Sequence, residues 1–143
     1  MIAAGYDKVY TVTDYYDGPR AGVAGFKGPP HYYECQFNEA ESNWSDIFLL
    51  KPIDSETFQL ALEDWAIWER WNAAREDGKV GSDTHPALPE DRDRHNEISA
   101  VLQGRLKANP ETDIKAKAEF EVVEPRRKGQ SIANLKVRWS GVP

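Results

Sequence analysis

The sequence predicts an α+β fold in which one twisted antiparallel β-sheet of about six strands packs against two α-helices. Short segments of alternating polar and apolar residues lie near both ends of the chain, and two longer segments with helical periodicity lie between them. Neighbouring strands, then helices, then a final hairpin are typical of α+β domains. The predicted order of elements is β-β-β-β-α-α-β-β, in a single domain over residues 1–143.

The first four strands are predicted where turn sequences interrupt the alternating segments. The strand sequences are VYTVTDYY, AGVAGF, HYYECQF and WSDIFLLKPI, and the turns between them are DGPR, KGPP and NEAESN. Glycine and proline supply the special backbone angles that such turns require. Because the connections are short, consecutive strands are expected to pair as an antiparallel meander.

Two tyrosine doublets occupy the first and third strands. Successive strand residues point to opposite faces of a sheet, so the two members of a doublet cannot share one face. Alternation along the two strands predicts that Tyr16 and Tyr33 face the core. It places Tyr15 and Tyr32 outward or beneath a loop, where they become candidate binding residues.

The first helix is predicted over residues 54–78, with Asp54 or Ser55 as its N-cap and Gly78 near its end. Its apolar residues cover more than half of its circumference, which indicates packing on more than one side. The three tryptophans of WAIWERW have the spacing of a ligand platform, but burial in the core is the favoured interpretation. Trp71 lies at the edge of the apolar stripe and is predicted to be exposed.

The second helix is predicted over residues 89–108. Pro89 suits the first helical position, and Glu90 and Asp91 complement the positive end of the helix dipole. A final hairpin is predicted over residues 114–139, where apolar residues alternate with Lys, Arg and Glu.

Charge is distributed unevenly along the chain, whose net charge is −6. Residues 115–138 carry a net charge of +4, from seven Lys or Arg and three Glu, and the rest of the chain carries −10. Nucleic-acid binding would use the basic residues of the hairpin, but a solvated hairpin is the favoured interpretation because nucleic-acid binders usually have a wider basic surface. The basic residues are Lys115, Lys117, Arg126, Arg127, Lys128, Lys136 and Arg138.

Several classes of protein are disfavoured by the composition. Cys35 is the only cysteine, so the chain cannot form an internal disulfide, and a reducing cytoplasm is the expected compartment. No apolar segment is long enough to span a bilayer. The motifs of zinc proteases, phosphate loops, dinucleotide folds and serine hydrolases are missing. The sequence therefore predicts no cofactor, no metal site and no membrane partner.

Residue types common in catalysis concentrate in SDTHPALPEDRDRHNE. His85 and His95 could approach each other there and act with Asp83 or Glu97, as metal ligands or as a general base with its orienting acid. The favoured interpretation is that the acidic residues serve the helix N-terminus and that His85 is a loop residue, because the spacing selects no set of three ligands.

One resemblance covers most of residues 9–106. The strings TVTDYYDGPRAGVA…PHYYEC, ETFQLALEDWAIWERW and THPALPEDRDRH resemble a small bacterial protein family of unknown function. The resemblance implies a self-contained domain and carries no activity, ligand or catalytic residue.

The leading functional hypothesis from the sequence is a non-enzymatic module that binds a protein partner, of the immunity or inhibitor type. It is motivated by the acidic body, the missing catalytic motifs and the expected outward aromatics Tyr15, Tyr32 and Trp71. A small hydrolase-like or metal-dependent enzyme using His85 and His95 is the second hypothesis. Nucleic-acid binding through the basic hairpin is the third, and the oligomeric state is left open.

Overall fold

The strands of this protein form a closed antiparallel barrel in the computed structural model, which describes residues 5–142. Each strand pairs with the next in sequence, and the first pairs with the last to close the barrel. The six strands are β1 (Asp7–Tyr15), β2 (Pro19–Gly25), β3 (Pro30–Asn38), β4 (Asn43–Pro52), β5 (Ile114–Glu124) and β6 (Asn134–Gly141).

The prediction of an open twisted sheet is therefore wrong, although the α+β composition fits. Closure rests on a short contact in which Asp7 pairs with Val137 and Lys8 with Lys136. Irregular pairing interrupts β1, β3 and β5, and such bulges bend strands and increase their twist. Alternation of polar and apolar residues looks the same in an open sheet and in a barrel, so the sequence pattern could not distinguish them.

The barrel interior is filled mainly by aromatic side chains. Tyr33 is fully buried at its centre, and the rings of Phe48, Phe120 and Trp139 lie with their centroids between 5.8 and 6.1 Å from it and from one another. Rings packed at these distances add specific attraction to the apolar area that they bury. The interior is therefore a packed core rich in aromatic rings.

Two helices are inserted between β4 and β5: α1 (Ser55–Glu76) and α2 (Arg92–Arg105). Asp54 is the N-cap of α1, because its side chain accepts a hydrogen bond from the backbone N–H of Thr57 at 2.7 Å. A 3-10 turn at Pro89–Asp91 precedes α2. Within residues 5–142, neither helix has the combination of length and apolar character that crossing a bilayer requires.

One of the four doublet tyrosines differs from prediction. Tyr33 is buried and Tyr15 is 59% exposed, as expected, and Tyr32, which was expected outward or beneath a loop, is 7% exposed, but Tyr16 is 67% exposed. Register shifts in β1 on both sides of Asp14 break the alternation that was meant to turn Tyr16 inward. Tyr32 lies on the outer face of the barrel, where its cross-strand neighbour Val23 is also buried, so this part of the outer face is covered as well.

Trp71 also differs from prediction, because it is 4% exposed and not on the surface. Its indole N–H donates to the hydroxyl oxygen of Thr84 at 2.8 Å, and its ring stacks on Trp68 with a centroid distance of 5.3 Å. The segment between the helices folds over this side of α1. It covers Trp71, which helical periodicity places at the edge of the apolar stripe.

Candidate functional site

A cavity of about 930 Å³ lies between the two helices and the part of the barrel where β1 and β6 separate. Beyond Lys8 and Lys136 these strands no longer pair, and side chains of β1, β5, β6 and both helices line the space. Buried residues Val12 and Ala61 form part of its floor, whereas exposed Tyr15 lies where it meets solvent. Its volume is within the range of small-molecule binding sites.

The walls of the cavity are mostly apolar and rich in rings. Trp65 and Trp68, one turn apart on α1, are half-buried and line the cavity together with Phe120 of the barrel core. Leu102 and Leu106 line the cavity on the side of the second helix. Tryptophans that remain partly uncovered inside a fold offer flat apolar surface to a bound molecule.

A histidine–carboxylate pair forms the polar part of the wall. His95 Nδ1 lies 2.7 Å from Asp64 Oδ1, and both side chains line the cavity. Their side chains are 18% and 27% exposed, so the pair is largely sheltered from bulk water. A carboxylate that holds one ring nitrogen sets the tautomer and orientation of the imidazole.

His85 lines the same cavity from the loop between the helices and is exposed, so it stands at the rim. Its ring meets Trp68 and Trp71 edge-on, at centroid distances of 5.3 and 4.9 Å. The fold thus brings His85 and His95 to one cavity, as the catalytic hypothesis required. His85 is held there by aromatic contacts.

The β5–β6 loop (residues 125–133) closes one side of the cavity and is tied to α1. Arg126 donates to Glu76 Oε1 at 2.6 Å, and the backbone N–H of Gly129 donates to Glu76 Oε2 at 2.9 Å. The hydrogen bond from Arg126, followed by that from Gly129, lowers the pKa of Glu76. The backbone N–H of Ser131 donates to Glu69 at 3.2 Å, so two carboxylates of α1 hold the loop.

The acidic partners predicted for the histidines are not the ones found. Asp83 lies exposed in the 3-10 turn Ser82–Thr84, and Glu97 is 69% exposed beside Arg94. Neither lines the cavity. Across residues 5–142, no group of three His, Cys, Asp or Glu side chains has the geometry to hold a metal ion.

The basic residues of the hairpin mostly face carboxylates. Lys136 instead lies over the ring of Tyr6 at 4.3 Å, and paired charges project less positive potential than the sequence count suggests. The pairs are Arg126 with Glu76, Arg127 with Glu124, Lys128 with Asp77, Arg138 with Glu119 and Lys117 with Asp46.

Asp64 is a cavity-lining residue that the sequence did not predict. In helical projection it falls between Trp68 and Trp71, so a carboxylate interrupts the aromatic stripe of α1. A carboxylate within an apolar stripe is the sequence feature that could have marked Asp64 as a residue of the cavity wall. Core burial was the favoured interpretation for the three tryptophans of α1; Trp71 is buried, whereas Trp65 and Trp68 are half-buried and line the cavity.

No family model matches this chain, and no curated protein and no solved structure matches it either. The resemblance to a small bacterial family therefore stays a prediction, and the site has to be interpreted from its own geometry.

Proposed function

We propose that this protein binds a small, mostly apolar molecule containing an aromatic ring. The observation that carries the proposal is the cavity itself, about 930 Å³ of space walled by half-buried tryptophans. Apolar side chains that line an open cavity remain in contact with water, and removing such surface from water is favourable. A ligand that fills the space would bury the apolar wall.

The polar groups support a small molecule with one polar end. Asp64 and His95 sit together in an otherwise apolar wall, and a few placed polar groups in an apolar pocket are the usual means of orienting a ligand. The exposed rim at Tyr15 and His85 provides a path from solvent.

A cavity-filling variant tests the proposal with 1-aminoanthracene, an uncharged probe whose emission rises in apolar surroundings. We expect the protein to bind one probe per chain. Ala61→Phe should weaken that binding at least about tenfold, because the new ring occupies the cavity floor. Binding is measured by fluorescence titration, and circular dichroism verifies that each variant is folded.

Ala66→Phe is the matched control, since Ala66 lies on the same helix but is exposed outside the cavity. It should bind the probe as the unmodified chain does. Ala133→Phe, in the β5–β6 loop, provides a second filling variant if Ala61→Phe fails to fold. Absence of saturable binding by the unmodified chain, or equal binding by the filled and control variants, would contradict the proposal.

The protein-partner and nucleic-acid hypotheses stay predictions. Of the three aromatics expected to form a protein interface, only Tyr15 is exposed, and it belongs to the cavity rim. The cytoplasm is the proposed compartment, supported by the single cysteine, Cys35, which is free and buried. Cell fractionation in the source organism tests the compartment.

A further inference from the structure

We infer that His95, oriented by Asp64, receives the hydroxyl of the bound molecule, so the ligand is a flat aromatic compound bearing a phenolic or enolic O–H. The inference rests on the proposed function and specifies the chemical class of ligand. It assigns Asp64 as a positioning residue and His95 as the residue that contacts the ligand.

The hydrogen bond between the two side chains determines which ring nitrogen is available. A carboxylate only accepts hydrogen bonds, so the 2.7 Å contact places the imidazole hydrogen on His95 Nδ1, pointing at Asp64. The neutral ring then has its lone pair on Nε2. Within residues 5–142 the ring makes its hydrogen bond through Nδ1 and not through Nε2.

Other polar side chains of the wall are already engaged within the protein. The hydroxyl oxygen of Thr11 accepts from the backbone N–H of Val23 at 2.9 Å, and Arg126 is held by Glu76. His85 is exposed at the rim, where its ring is accessible to solvent and is not sheltered in the cavity. The sheltered acceptors left for a molecule inside the cavity are His95 Nε2 and the second oxygen of Asp64, and we assign the contact to His95 because Asp64 is held against its ring.

An acceptor in an apolar cavity selects ligands that carry a donor. A phenolic O–H loses its hydrogen bonds to water when it enters the cavity, and Nε2 replaces one of them. The carboxylate of Asp64 stabilises the positive charge that the imidazole gains as it attracts the proton. An ether of the same ring has no hydrogen to donate and gains nothing from His95.

The test compares 2-naphthol with 2-methoxynaphthalene, which share one ring system and differ in the O–H. Dissociation constants for both probes are measured by calorimetry on the unmodified chain, on His95→Phe and on His85→Phe. We expect His95→Phe to weaken 2-naphthol binding about tenfold relative to 2-methoxynaphthalene, the cost of leaving a buried hydroxyl unpaired. Phenylalanine keeps a ring of similar shape, so the ether should bind nearly unchanged.

His85→Phe is the matched control, because it changes a histidine of the same cavity that lacks a carboxylate partner. It should leave the relative affinity of the two probes unaltered. A preference for 2-naphthol that survives His95→Phe, or that disappears in His85→Phe, overturns the inference while the cavity proposal stands. Failure of the unmodified chain to bind either probe or 1-aminoanthracene overturns both proposals.

The positioning role of Asp64 has its own readout. Asp64→Asn keeps an oxygen that can accept from His95 Nδ1–H, so most of the preference for 2-naphthol should remain. Asp64→Leu removes the acceptor, frees the ring to rotate, and should abolish the preference while 2-methoxynaphthalene still binds. If Asp64→Asn and Asp64→Leu prefer 2-naphthol over 2-methoxynaphthalene to the same extent, Asp64 does not position the ring of His95.

Discussion

At the scale of single residues, Gly22, Thr11 and Tyr33 form one close-packed unit beneath the cavity floor. The hydroxyl of Tyr33 donates to the backbone carbonyl of Thr11 at 2.9 Å, and burial raises the pKa of Tyr33 well above its ordinary value. A Cβ atom on Gly22 would lie 2.8 Å from both the Thr11 carbonyl carbon and the Tyr33 hydroxyl oxygen. Only glycine lets the two strands approach this closely.

Gly22→Ala should therefore destabilise the protein by about 3 kcal/mol, because backbone atoms of β1 have to move to admit the methyl group. Urea denaturation followed by tryptophan fluorescence measures the change in the free energy of unfolding. Gly104→Ala is the control: apart from its chain neighbours and the backbone of its own helix, no described atom lies within 4 Å of the new Cβ, and alanine favours a helix by up to about 1 kcal/mol. A Gly22→Ala protein as stable as the unmodified chain would mean that β1 and β2 are farther apart.

At the scale of elements, we expect the β5–β6 loop to be the side of the cavity that opens most easily. Its hydrogen bonds with α1 involve the side chains of Glu76, Glu69 and Asn72, those of Glu76 being exposed, whereas the barrel strands are joined by backbone ladders. Segments held by few exposed contacts open at lower free energy than core strands.

Glu76→Gln should loosen the loop, because it weakens the hydrogen bonds from Arg126 and Gly129. Trypsin, which cuts after Arg126, Arg127 and Lys128, should then cleave the loop about threefold faster, as expected for loss of an exposed ion pair. The pKa of Glu76 is lower in the folded protein than in the unfolded chain. The hydrogen bonds from Arg126 and Gly129 to its carboxylate are therefore intact above the ordinary glutamate pKa of 4.5, and they are lost as the pH falls through the pKa of the folded state.

Glu119→Gln is the control for the loop experiment, since Glu119 pairs with Arg138 on the same hairpin but outside the loop. Its cleavage rate should match that of the unmodified chain. If the two variants are cut at the same rate, Glu76 does not restrain the loop.

At the scale of the whole molecule, closure of the barrel brings the two ends of the sheet together. In an open six-stranded sheet, β1 and β6 would be opposite edges, about 24 Å apart at the usual strand spacing. In the barrel, Lys8 and Lys136 are direct cross-strand partners with side chains exposed or half-buried. Antiparallel partners have the Cα separation that a disulfide needs.

Lys8→Cys combined with Lys136→Cys, in a Cys35→Ala background, should form an internal disulfide under mild oxidation. Mass spectrometry of the unreduced protein after proteolysis measures the cross-link. Lys8→Cys with Lys117→Cys is the control, because Lys117 lies on β5 and pairs with β4 and β6. Cross-linking of the control pair to the same extent, or free thiols in both proteins, would contradict the closed barrel.

Local signals explain why most elements could be predicted from the sequence. The N-cap at Asp54, the end of α1 near Gly78 and the turns between the first strands depend on residues a few positions apart. The same reasoning was wrong for Tyr16, where bulges shift the alternation of β1, and for Trp71, which a distant loop covers.

The sequence by itself determined the strands, the helices and their order, because alternation, helical periodicity and capping act between near neighbours. Only the tertiary structure decided that the sheet closes, that the outer face around Tyr32 is covered and that a cavity remains between barrel and helices. It also decided the partner of His95, since Asp64 lies 31 residues away and the interruption of the aromatic stripe at Asp64 does not say which residue it contacts. Such pairings follow from the closing and packing of the whole chain, which no short window of sequence contains.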